Sequence, residues 1–139
     1  MNIRSRIWSL FSAIYPWWLR RRFGLHIGNH CVISTGARLD LTVNPQGIYI
    51  GDNVWILKGA IVLAHDHCRR SKMDVHIKNN CVIGLNSIIM PGVTIGEQSI
   101  IGAGSVVTKS IPAHSIAVGN PAHVIKEGIN VNNNGQLVE

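Results

Sequence analysis

The stretch "IKNNCVIGLNSIIMPGVTIGEQSIIGAGSVV" (residues 77–107) repeats every six residues. Ile77, Ile83, Ile89, Ile95, Ile101 and Val107 share one column. Four places after them stand the slim residues Cys81, Ser87, Val93, Ser99 and Ser105. A helix would repeat its apolar positions at 3.6 and a single strand at 2. A period of six instead means a short strand and a corner, repeated and stacked as a solenoid.

The same columns run upstream. Ile27, Ile33 and Leu39 form one series and Ile50, Ile56 and Val62 another, with Cys31, Ala37, Val54 and Ala60 in the slim column. Cys31 and Cys81 are therefore interior filler rather than ligands. Glycine often follows the aliphatic residue (Gly28, Gly51, Gly84, Gly96, Gly102), and the expectation is that tight corners need its permissive backbone there.

Outside the repeat the chain divides into three. Residues 1–24 read as an amphipathic helical segment, 25–127 as the solenoid and 128–139, with "NVNNNGQLVE", as a loose polar tail. At 139 residues with 14% charged side chains, the chain suits one folded domain rather than a disordered segment. Net charge is +6, and Arg4, Arg6, Arg20, Arg21, Arg22 and Arg38 all precede the first acid, Asp40. That basic, aromatic N-terminus suits a cap on the domain end or a weak peripheral contact with anionic lipid. Its apolar stretch is broken by Pro16 and followed by three arginines, so it reads neither as a signal peptide nor as a spanning helix. Three cysteines without CxxC spacing fit a reducing compartment. Cytoplasmic residence follows, with the inner face of the membrane as a site of action. No aromatic residues interleave with the basic ones in the solenoid, which disfavours nucleic acid as a partner.

The columns, with the endings "PGVTIGEQSIIGAGSVVTKSIP" and "GNPAHVIK", resemble the hexapeptide-repeat acyltransferases over residues 25–127. The subgroup resembled is that of the sugar and xenobiotic O-acetyltransferases. The resemblance implies an all-β fold, a left-handed parallel β-helix with a short N-terminal helix. It also implies a homotrimer with sites between subunits, acetyl-CoA as acyl donor, no metal, and a small-molecule or glycan hydroxyl as acceptor. For the donor it carries over Ala103, Thr108 and Lys109, with Lys126 near the nucleotide phosphates and His123 where the family often has Arg or Lys.

The rhythm fails between Val62 and Ile77, fifteen residues apart where twelve or eighteen would keep register. A loop must leave the solenoid there, and loops on rigid scaffolds commonly carry function. This one, "VLAHDHCRRSKMDVH" (62–76), holds His65, His67 and His76. Acyl transfer to a hydroxyl needs a base titrating near the working pH, which suits histidine. In the resembled enzymes the base falls five places after the inward aliphatic, which is His67; His65, three places on, is its competitor. Asp66 is placed to orient an imidazole. Asp40 is expected to reach substrate across a subunit boundary, and Arg69, Arg70 and Lys72 to meet a phosphate on it. Cys68 has no obvious thiolate-stabilising site beyond two arginines, and the resembled family transfers the acyl group directly. Two other readings use the same fold. One is a zinc enzyme like the γ-class carbonic anhydrases, with three histidine ligands; the other is a non-catalytic trimeric scaffold.

Overall fold

The structure is a computed structural model that describes residues 2–138. A helix, α1 (Ile3–Phe23), leads into a left-handed β-helix with three parallel faces. The first face stacks His26–Ile27, Ile48–Ile50, Val75–Ile77 and Thr94–Ile95. The second stacks Val32–Ile33, Trp55–Ile56, Val82–Ile83, Ile100–Ile101 and Ser115–Gly119, with Ala122–Glu127 returning antiparallel at its end. The third stacks Arg38–Leu39, Ile61–Val62, Ile88–Ile89 and Val106–Val107. Register is fixed by the columns: Ile33, Ile56, Ile83 and Ile101 lie side by side, as do Leu39, Val62, Ile89 and Val107.

The interior of the prism is the aliphatic column. Of its twelve members eleven are buried and Leu39 is half-buried, and all nine slim residues are buried. Each fully buried isoleucine contributes about 1.5–3 kcal/mol by leaving water. The hydroxyls of the slim serines find backbone partners: Ser87 Oγ donates to Gly84 O at 2.7 Å and Ser99 Oγ to Pro112 O at 2.8 Å, while Ser105 Oγ accepts from Gly119 N at 3.1 Å.

The corner glycines have a different reason from the one the sequence suggests. Gly84 and Gly96 do not sit in the left-handed region. They are close-approach positions: a Cβ on Gly84 would lie 2.7 Å from Ala103 N, and one on Gly96 would lie 2.6 Å from Ala113 Cα. Left-handed residues fall two places later: His30, Asn53, Asn86 and Gln98 follow Gly28, Gly51, Gly84 and Gly96, with φ between 54° and 57°. Asn and His tolerate this region better than branched residues do.

The C-terminal segment also differs from a loose tail. Asn130–Val131 and Leu137–Val138 pair as a hairpin against the second face. Asn80 Nδ2 donates to Asn133 Oδ1 at 2.8 Å, Trp55 Nε1 donates to Asn133 O at 3.3 Å, and Val131 N donates to Gln98 Oε1 at 3.0 Å. It docks by these hydrogen bonds together with the burial of Ile129 and Val131.

Candidate active site

Where the third face turns into the first, four successive coils make one edge of the prism. Residues 40–47, 63–74, 90–93 and 108–110 line it in order. The second of these bulges outward as a hairpin, with His65–Asp66 paired to Ser71–Lys72. Its base is tied down at Ala64. Ala64 O accepts from Met73 N at 3.0 Å and from Asn44 Nδ2 at 2.8 Å, while Ala64 N donates to Asp40 Oδ2 at 3.2 Å. His65 therefore begins from a backbone held on both sides.

The His65 ring is held as well. Its Nδ1 is hydrogen-bonded to Asp40 Oδ2, and the Asp40 side chain is 2% exposed against 25% for His65. Burial pushes the Asp40 carboxyl upward, but the bonds from His65 and from the Ala64 and Val43 amides outweigh it. The group lies below its ordinary value. An ionised carboxylate only accepts hydrogen bonds, so Nδ1 carries the hydrogen and Nε2 of the neutral ring keeps its lone pair. That nitrogen is the one left to accept a proton from something outside. The expectation that Asp40 touches substrate is corrected here, because its carboxylate is turned inward onto the histidine of its own chain.

His67 sits at the exposed tip of the hairpin, and among the described residues its ring makes no hydrogen bond. Asp66 does not orient either ring. It accepts from Arg69 N at 3.0 Å and from Arg69 Nη1 at 2.7 Å, which holds its carboxyl below the usual range and stabilises the turn. Arg69, Arg70 and Lys72 are exposed around that turn. Two shallow clefts flank the hairpin and both reach His65. One, of about 510 Å³, extends to Met90 and Pro91; the other, of about 300 Å³, extends to Val43 and Lys72.

The donor positions separate by edge. Thr108 and Lys109 share the His65 edge two coils further on, roughly 10 Å along the axis at one strand spacing per coil. Ala103 lies on another edge, between the second and third faces. The backbone beside it is open: Gly104 has φ 69°, and a Cβ there would meet nothing within 4 Å. His123 and Lys126 are exposed on the antiparallel strand that closes the second face. One chain thus puts a histidine–carboxylate pair and Lys109 on one edge and the open Ala103–Gly104 corner on a different one.

The remaining histidines lie apart from this edge. His26 and His76 stack on either side of Tyr49, with ring centroids 4.3 and 4.6 Å apart. Among the described residues no three His, Cys, Asp or Glu side chains gather as a metal-ligand set. A three-histidine zinc site from His65, His67 and His76 lacks convergence: one nitrogen of the first is taken by Asp40, the second points out, and the third is stacked on Tyr49. Of the cysteines, Cys68 is exposed while Cys31 and Cys81 are buried. Burial raises both interior thiols, Cys81 to about 11. Ellman's reagent is expected to titrate Cys68 alone in the native protein and all three thiols after unfolding; rapid native labelling of Cys81 would contradict the packed interior.

Comparison with known proteins places the fold. Residues 75–109 match the family model described as the hexapeptide repeat of succinyl-transferase. The galactoside O-acetyltransferase of Escherichia coli K12 is 39% identical over 113 residues, covering 74% of this chain and 54% of that protein. Relatives from Staphylococcus aureus are 58% identical over 53 residues, 27% of their length. The chain thus spans from about a quarter to about half the length of these curated relatives. Among solved structures, a maltose O-acetyltransferase from Clostridium difficile 630 superposes with TM-score 0.61 at 32% identity, covering 78% of this chain and 72% of that one. A hexapeptide-repeat acetyltransferase from Vibrio cholerae, crystallised with acetyl coenzyme A, shares the fold at TM-score 0.61 and 23% identity.

Proposed function

The chain belongs to the hexapeptide-repeat acyltransferase family, and from that premise we propose that it transfers an acetyl group from acetyl-CoA to a hydroxyl of a sugar or glycan intermediate. The observation that carries the reading is the His65–Asp40 pair, with a buried carboxylate fixing the ring and leaving Nε2 free at the mouth of two clefts. Relatives named for galactoside and maltose O-acetylation support the acceptor class.

In this reading His65 is the general base. Its Nε2 accepts the hydroxyl proton as the acceptor oxygen bonds to the thioester carbon, then returns that proton to the sulfur as the C–S bond breaks. Asp40 holds the tautomer and stabilises the imidazolium that forms between the two transfers. His67, at the tip, is available to contact acceptor, as are Arg69, Arg70 and Lys72. Thr108, Lys109, Lys126 and His123 would meet the donor, the lysines near its phosphates, and the open backbone at Ala103–Gly104 would lie along its thin arm. Because Ala103 and His65 occupy different edges of one prism, the complete site takes the His65 edge of one subunit and the Ala103 corner of another. In this reading the working unit is the homotrimer that the family resemblance implies. The same reading places the protein in the cytoplasm, acting on a glycan intermediate near the inner face of a membrane; its unpaired cysteines support a reducing compartment. Among the described residues no helix is long and apolar enough to cross a membrane.

Calorimetric titration with acetyl-CoA, combined with turnover on a panel of sugar acceptors, tests the proposal. Saturable binding at about one site per chain with O-acetylated product supports it. Absence of acetyl-CoA binding by the folded protein would sink it and leave a non-catalytic scaffold.

A further inference from the structure

α1 presents an apolar face that nothing in its own chain covers. Its packed side is short: Pro16 and Leu19 are buried, and Ser12 and Phe23 flank them toward the β-helix. On another side Ile3, Ile7, Leu10, Ile14 and Trp17 follow one another at intervals of four and three, which aligns them as a single stripe. Phe11 and Trp18 widen it, and all seven are between 43% and 78% exposed. At 100° per residue these seven span about a third of the helix circumference. So wide an exposed apolar face marks an interaction site on a water-facing protein.

Charge decides what covers it. α1 contains five arginines, Arg4, Arg6, Arg20, Arg21 and Arg22, and no acidic residue. By the same helical spacing Arg6 lies along one border of the stripe and Arg4 and Arg22 along the other, while Arg21 continues the stripe itself one turn beyond Trp17, at the C-terminal end of α1. Arg20 is turned onto Gly28 O of its own β-helix, and a second copy of the helix laid on the stripe would bring the other eight guanidinium groups together with no carboxylate in either helix to offset them. An anionic bilayer surface has the complementary arrangement. Apolar side chains enter the boundary between headgroups and acyl chains, tryptophan rings sit at headgroup level, and arginines reach outward to phosphates. We propose that α1 lies flat in the interface of an anionic membrane, inserting the Ile3–Trp17 stripe with Phe11 and Trp18, and so holds the β-helix at the lipid surface. The inference is independent of the chemistry at His65.

Co-sedimentation of the full chain with vesicles tests it, comparing phosphatidylcholine alone with equal parts phosphatidylcholine and phosphatidylglycerol. Wild type is expected to sediment with the anionic vesicles, less so as salt is raised. Arg21→Gln with Arg22→Gln is expected to lower the partition coefficient about thirtyfold at low salt. Ile14→Ser with Trp17→Ser is expected to lower it at least as much, while circular dichroism and acetyl-CoA binding stay unchanged because these side chains face outward. Equal sedimentation with both vesicle types would overturn the proposal. So would an Ile14→Ser/Trp17→Ser variant that keeps its vesicle binding. If that variant lowers the molar mass in analytical ultracentrifugation while wild type ignores vesicles, the stripe is a subunit interface and the membrane assignment is wrong.

Discussion

Replacing His65 with alanine is expected to lower kcat by about 10²–10⁴-fold, the range for loss of a positioned general base, while His67→Ala stays close to wild type. The two histidines are two residues apart, yet the structure treats them differently. His65 rises from a backbone anchored at Ala64 and carries a buried carboxylate on Nδ1. His67 stands at an exposed turn with no partner for its ring among the described residues. A base works only if its lone pair is presented in the same place on each cycle, and a freely rotating surface ring does not do that. Asp40→Asn separates orientation from mere presence. The amide would still fill the buried site, but its N–H would donate to Nδ1 and move the ring hydrogen to Nε2, where it blocks proton acceptance. The expected result is a fall in kcat approaching that of His65→Ala with little change in KM for acetyl-CoA. Calorimetry on each variant shows whether donor binding survives. Full turnover by His65→Ala together with loss of activity in His67→Ala would transfer the role to the hairpin tip.

The solenoid was legible because its evidence is repetition: a column of twelve aliphatic positions leaves few architectures to weigh. The site was legible only as an address. The broken period at Val62–Ile77 points to the loop that carries both candidate histidines, but choosing between His65 and His67 needs to know what each ring touches. The deciding residue, Asp40, lies 25 positions upstream. A signal for it was present, since Leu39 and Val62 occupy the same column and so bring Asp40 and Leu63 to one edge. Using it required the register across the irregular stretch 40–47, where the six-residue count fails. Asn44, which pins Ala64 from that same stretch, was hidden for the same reason. The segment 128–139 misled differently. Runs of Asn suggest disorder by composition, yet here Asn132 Oδ1 accepts from Asn134 N at 2.9 Å and from Gln136 N at 3.0 Å, so the same side chains build the turn of a docked hairpin. The corner glycines show the limit of a correct observation with an incomplete cause. Their position was visible, but only coordinates distinguish a backbone that needs positive φ from one that needs its neighbour close.

The largest stability effect is expected at the middle of the column. Ile83 is fully buried on the second face, between Ile56 of the preceding coil and Ile101 of the following one. Truncation to alanine removes three carbon atoms from a closely packed prism: the slim positions, such as Cys81 and Ser87, are too short to fill the gap, and Ile56 and Ile101 are held in their own coils by the ladder. The cost is expected to be about 2–5 kcal/mol, transfer and cavity terms together. Leu39, at the half-buried start of the third face, provides the control: part of its side chain already meets water, and Leu39→Ala is expected to cost less. In a stacked solenoid each coil contacts only its neighbours, so a central defect weakens two coil–coil interfaces and an end defect only one. Denaturant unfolding of both variants, measured at matched chain concentration because any association between chains would add its own stabilisation, provides the comparison. If Ile83→Ala and Leu39→Ala lose the same free energy, stability resides in the association of subunits rather than in the packed column, and the prism is not an independent core.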